Sequence, residues 1–208
     1  VNMDVPYGED KVFDMLQIRP IVDSPSNRSL DWDQVDTSGA LIYAESALGL
    51  GAIEGVTDVV YIRPARFDTA HTQQMADEVN RLNTELRDQK RSYVLVGPGR
   101  WGSSDPWLGV PVKWPHISEA KVIVECGLDN FRVEPSQGTH FFQNLTSFGV
   151  GYLTINPFQG DGRFDIAQLD TQPALYESAY VRHVRFPEPL YIFVDGRKNR
   201  AIIRPADV

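Results

Sequence analysis

His140 has the most chemistry open to it of any residue in the chain. It lies in PSQGTHFFQNLTSFG, residues 135–149, one position past the start of a helix that the pattern predicts over Thr139–Ser147. Ser136 and Thr139 are capping residue types, and the free amides and positive dipole end of a helix start favour a bound anion. An imidazole of ordinary pKa is mostly uncharged at neutral pH and therefore nucleophilic. The combination suits a histidine that accepts and holds a phosphoryl group. The plainer reading makes His140 a polar first-turn residue and nothing more.

Other residue types offer less. Tyr93–Val96 reads as a short strand running into GPGRWGSSDPWLGVPVKWP, a loop from Gly97 to Pro115 too irregular for an ordinary connection. Its spacing is not GxxxxGK[ST], so it is no phosphate loop of the usual nucleotide-binding kind. Arg100 and Asp105 are positioned to contact a ligand or to pair with one another. Trp101, Trp107 and Trp114 either pack the loop on a core or anchor an interface. Lone Cys126 reads as a buried, inert thiol. His71 is expected at the surface without a partner. His183, between Arg182 and Arg185, reads as a solvated strand face or as part of a cluster paired with acids elsewhere. The four histidines and one cysteine show no metal-ligand spacing, and there is no GxSxG elbow.

The 208 residues, 42% hydrophobic, suffice for one sizeable domain or a domain with an appendage, and no apolar run reaches the length of a membrane span. A formal charge of −8 argues against broad attraction to nucleic acid, so any phosphate site must be local. These features predict a soluble, cytoplasmic chain without nucleic-acid or membrane partners. The start at Val1, with no initiator Met or signal-like segment, suggests a piece of something longer.

The elements that must position these residues follow from periodicity. Lys11–Val22 (KVFDMLQIRPIV) reads as a strand with Phe13, Met15, Gln17, Arg19 and Ile21 on one face, and Asp23–Ser38 as a linker. Strands are expected at Ala40–Ala44 and Thr57–Arg63, separated by SALGLGAIEG, whose Gly49, Gly51 and Gly55 should shape turns. Met75, Val79, Leu82 and Leu86 mark the core face of a helix over Thr69–Arg91. Lys121–Cys126 has the continuous apolar character of a strand buried on both faces of a layered α/β sheet. Phe131–Glu134 and Val150–Ile155 read as strands on either side of the His140 helix, which places His140 at a strand-to-helix turn, where α/β sheets often bind ligands. The tail is expected to hold a helical or extended piece at Asp165–Leu169, a strand at Tyr180–Phe186, and a hairpin of Leu190–Asp195 with Ala201–Arg204 joined near DGRKN.

FDMLQIRPIV resembles the terminal strand of the ATP-grasp domain in the phosphoenolpyruvate synthase and pyruvate phosphate dikinase family, which commonly ends in a sequence like LQxRP. The resemblance implies that Gln17 and Arg19 face nucleotide phosphates and metal, with the rest of that domain upstream of Val1. SALGLGAIEGVTDVV is similar in glycine placement to the SPGxAxGxV motif of the family's swivelling phosphohistidine domain. GTHFF, with Gly149 nine residues after His140, occupies the place of the family's GGxTSHAA segment. GPGRWGSSDPWLG resembles a loop of a synthase-like subgroup with a PEP/pyruvate-binding domain and no assigned substrate.

The implied class is α/β, a layered swivelling β/β/α-type domain with a β-rich C-terminal extension. Residues 1–22 would end the ATP-grasp domain, 23–38 would be a linker, 39–157 the swivelling domain and 158–208 the extension. His140 would carry a phosphoryl group between ATP and an unknown small-molecule acceptor. Gly138, Thr139, Arg100 and Arg132 are the candidates for contacts to the transferring group. ATP and Mg would serve the full-length protein; the segment alone would hold neither and would not be active. Phe141 and Phe142 stand where the family has small residues, and Thr146 where it has Arg. Those differences support the alternative, a non-catalytic binding or regulatory module that keeps the fold without the chemistry.

Overall fold

A computed structural model describes residues 30–105, 107–129, 131–135, 145 and 148–206. Gln17 and Arg19, and the segment with Gly138, Thr139 and His140, lie outside the described residues. Along the chain run β1 (Ile42–Ala44), β2 (Ser46–Leu48), β3 (Leu50–Ile53), β4 (Asp58–Ile62), α1 (Thr72–Asp88), β5 (Tyr93–Pro98), β6 (Arg100–Trp101) and β7 (Gly109–Val110). There follow β8 (Ala120–Cys126), β9 (Gly151–Ile155), β10 (Arg163–Phe164), α2 (Ile166–Asp170), β11 (Ala174–Glu177), β12 (Val181–Arg185), β13 (Tyr191–Asp195) and β14 (Arg200–Arg204).

The larger sheet has the order β11-β12-β4-β5-β8-β9-β2. Its centre, β4 to β9, is parallel, and antiparallel strands finish both edges. These central strands are rich in Val and Ile and buried on both faces, as expected where both sides of a parallel sheet are covered. Each parallel step moves one strand further in the same direction. Right-handed crossovers put α1, between β4 and β5, and the described residues between β5 and β8 on one face. On that face Met75, Val79, Leu82 and Leu86 of α1, together with Trp101, Val110, Ile117 and Leu145, pack on Val60, Leu95, Ile123 and Tyr152.

The opposite face is covered by an antiparallel sheet of order β10-β1-β14-β13-β3. Ile42, Ile192, Val194 and Ile203 of that sheet meet Val59, Val94, Val122 and Leu153 of the larger one. The layers therefore run sheet, sheet, helix, a mixed α/β architecture. The tail is interleaved with the rest: β13 and β14 pair with β3 and β1, and β12 pairs with β4, so residues 158–206 share the core of residues 39–157.

Several local expectations are corrected. SALGLGAI is not a run of turns but two strands, one in each sheet. The chain changes sheets at Gly49, whose φ is +124° and whose missing Cβ would lie 3.2 Å from Val194 Cγ1 and 3.3 Å from Gly151 Cα. The described part of the expected linker is packed: Leu30, Trp32 and Val35 cover the outer face of the smaller sheet at Phe193 and Ile202. The Trp32 indole also donates to Asp195 at 3.1 Å. Phe131–Glu134 forms only a single bridge to Leu128. The helix begins at Thr72, after a 3-10 turn over Thr69–His71, because Asp68 accepts from Ala70 N and caps that turn instead.

Asn83 ties α1 to the sheet. It is fully buried, its Nδ2 donates to Pro115 O and Ser118 Oγ, and its Oδ1 accepts from Tyr93 Oη and Glu119 N. All four of its hydrogen-bonding positions are used. Among the described residues no helix is long and apolar enough to cross a membrane.

Candidate functional site

The carboxyl ends of β5, β8 and β9 gather the tryptophan loop, Glu125 and the start of the connection that carries His140. Gly97, next to last in β5, lies where a Cβ would fall 2.4 Å from the Trp101 ring, so only glycine lets the indole lie across the strand. Seated there, Trp101 Nε1 donates to Val124 O at 3.1 Å and its backbone N–H to Glu125 Oε1 at 3.0 Å. Tyr152 Oη donates to Glu125 Oε2 at 2.5 Å. Glu125 and its register neighbour Thr154 are both buried, and among the described residues Thr154 Oγ1 has no hydrogen-bond partner. Trp101 thus belongs to the core. Trp107, 74% exposed, does not.

Beyond β8 the backbone is held at this edge by Asn156, whose Oδ1 accepts from Val133 N and whose Nδ2 donates to Val133 O. Arg100 and Arg132 converge on the next residue, Glu134. Arg100 Nη2 donates to the Glu134 carbonyl at 3.4 Å, while Arg132 Nε donates to Glu134 Oε1 at 2.9 Å. Arg132 also reaches Gln159 Oε1 and Asp161 Oδ2, so its charge is spent on two carboxylates and it acts as a strut. Among the described residues Arg100 makes no further side-chain hydrogen bond. Arg100 and Asp105 do not pair; Asp105 accepts from Trp107 N and caps its own turn. Of the expected contact residues, the structure brings Arg100 and Arg132 together beside the residues that lead to His140.

A second polar centre, absent from the sequence expectations, lies at the other end of the sheet. Asp58, first residue of β4, is 0% exposed. Its Oδ1 accepts from His183 and from Arg185 Nε, each at 2.8 Å, and its Oδ2 from Arg91 Nε at 2.9 Å and Thr57 Oγ1 at 2.8 Å. Burial alone would raise the carboxyl's pKa, but the bonds from His183, Arg185, Thr57 and Arg91 outweigh it and hold Asp58 well below the usual carboxylate range. With the carboxylate ionised, His183 Nε2 carries the hydrogen between them. His183 is 6% exposed, which rules out the solvated face and leaves the acid-paired alternative. Arg182, on the opposite face of β12, pairs with Asp170 and Glu177 and donates to Tyr61 Oη. The signal for this centre was an aspartate opening the apolar run DVVYI, a placement that only pairing makes stable.

His71 also gains partners: its Nδ1 lies 2.8 Å from Asp68 Oδ2 and its ring stacks on Tyr180. Cys126 is buried as expected, and burial pushes its thiol up to about 12, which leaves it unreactive. Among the described residues no group of three or more His, Cys, Asp or Glu side chains is arranged to hold a metal. In comparisons with known protein families, with curated proteins and with solved structures, nothing matches the chain.

Proposed function

We propose that the chain is the C-terminal part of a phosphoenolpyruvate synthase-like, ATP-dependent phosphotransferase, in which His140 carries a phosphoryl group between ATP and a small-molecule acceptor. The observation that carries this reading is the convergence of Arg100 and Arg132 on Glu134, at the carboxyl end of a parallel sheet and in the segment leading to His140. The sheet, sheet, helix layering supports a swivelling domain of the β/β/α type. The likeness of FDMLQIRPIV to a terminal ATP-grasp strand supports an upstream nucleotide site that uses Gln17 and Arg19 with Mg.

In this reading the His140 imidazole attacks a nucleotide phosphorus; the bond to the nucleotide's bridging oxygen breaks and an N–P bond forms. Arg100 stabilises charge on the equatorial oxygens, and Gly138 and Thr139 are the further candidates for contacts to the transferring group. Arg132 fixes the backbone on which that geometry rests. The acceptor oxygen then takes the phosphoryl group and the imidazole is restored. Intact protein incubated with radiolabelled ATP and a divalent metal is expected to gain acid-labile label, and His140→Ala to abolish it. Label that persists in His140→Ala overturns the assignment.

The exposed Trp107 favours a second reading, a binding or regulatory module that keeps the fold and docks through the tryptophan loop. There His140→Ala leaves function intact while Trp107→Ala weakens domain association. Unchanged association in Trp107→Ala discards that alternative.

A further inference from the structure

At the amino ends of the parallel strands, away from the carboxyl edge, a cleft of about 240 Å³ opens beside Asp58, lined by Glu54, Lys90, Arg91, Ser92 and Lys121. Two backbone irregularities bring its lysines there. Lys90, just past the end of α1, has φ +55°, the left-handed conformation that glycine or asparagine adopts at least cost. Lys121 is the extra residue where the pairing of β5 with β8 shifts from Tyr93–Ala120 to Val94–Val122, a bulge that turns its side chain out of the sheet's alternation. The chain thus places a lysine, twice, where regular structure would not.

The charge balance of the cleft runs against that of the chain. Lys90, Arg91 and Lys121 line it and Arg185 reaches Asp58 from β12; these four cations face the two carboxylates Asp58 and Glu54. Two positive charges remain in a chain whose net charge is −8. Asp58 is fully buried and satisfied, so it fixes the two guanidinium groups without filling the cleft. Among the described residues neither lysine is ion-paired. Arg91 uses Nε and Nη2 on Asp58 and Thr57, and among the described residues Nη1 has no partner.

We propose that this cleft binds the phosphate group of a small molecule, either free phosphate or a phosphate monoester, between Lys90, Arg91, Ser92 and Lys121. An excess of two positive charges matches a dianion. The cleft is small beside most ligand pockets, so the phosphate group supplies most of the contact. The inference does not depend on phosphoryl transfer by His140.

The test is thermal melting of the 208-residue chain against inorganic phosphate and against glycerol 3-phosphate, with chloride at matched ionic strength. Phosphate is expected to raise the melting temperature saturably beyond chloride. Lys121→Gln should weaken half-saturation about tenfold, the worth of one charge-assisted hydrogen bond. Lys90→Gly removes the left-handed strain, so it keeps or raises the melting temperature in buffer while losing the phosphate response by a similar factor. A larger response to glycerol 3-phosphate identifies a monoester as the ligand; an equal one identifies free phosphate. A rise that chloride reproduces, no rise at all, or a rise unchanged in both variants overturns the proposal.

Discussion

Replacing Asp58 tests the polar centre at the amino end of the sheet most sharply. The carboxylate is fully buried and accepts four hydrogen bonds, so Asp58→Ala leaves His183 Nε2, Arg91 and Arg185 facing a void. Breaking a buried charge pair from one side costs about 3–5 kcal/mol. Here the Arg91 and Arg185 side chains are each 34% exposed and can rehydrate, which places the expected loss near the lower end, about 3 kcal/mol. For a chain of this length that lowers the melting temperature by roughly 6–12 °C. Asp58→Asn, which keeps the shape, isolates the charge. Because the folded carboxyl is held below its ordinary value, the stability it supplies is fully present above about pH 4 and is lost as pH falls through the lower folded value. The gap between wild type and Asp58→Asn, followed by circular dichroism melts down to pH 3, should therefore narrow below pH 4. A loss under 1 kcal/mol at pH 7, or a gap that stays constant into acid, refutes the reasoning.

Asn83→Ala should cost about 2–3 kcal/mol, since it strands the buried Tyr93 hydroxyl and Glu119 N–H; a urea titration should show a lower midpoint at unchanged slope. Trp101→Ala should destabilise by about 3–5 kcal/mol, because the indole is core, whereas exposed Trp107→Ala should stay within about 0.5 kcal/mol of wild type. Equal losses in the two variants by chemical denaturation would show that the loop does not divide as described.

Strands whose faces are both covered were the most legible parts of the chain. DVVYI, YVLV and KVIVEC announce themselves by continuous Val and Ile, and Met75, Val79, Leu82 and Leu86 mark the buried side of α1 directly. The hairpin of β13 and β14 was equally plain. Periodicity assigns residues to faces but does not say what covers a face, and that is why His183 was ambiguous: Asp58 lies 125 positions away in sequence. Glycine in SALGLGAIEG suggested turns because one residue type serves both turns and close approaches; only the contact of Gly49 with Val194 and Gly151 separates them. Trp32 was passed over because its polar surroundings read as a linker, though a lone indole there packs on the smaller sheet. At the carboxyl edge, residue type alone made Arg100 and Arg132 equivalent candidates; that both reach Glu134 while Arg132 also pairs with Asp161 depends on contacts in three dimensions.

The most direct measurement is mass spectrometry of the intact protein after incubation with ATP and a divalent metal, digested with trypsin and kept alkaline throughout. Phosphate on the peptide spanning residues 133–163, localised to His140 and lost on brief acid treatment, is the expected result. A peptide that remains unmodified at saturating ATP contradicts a phosphoryl-carrying role for His140.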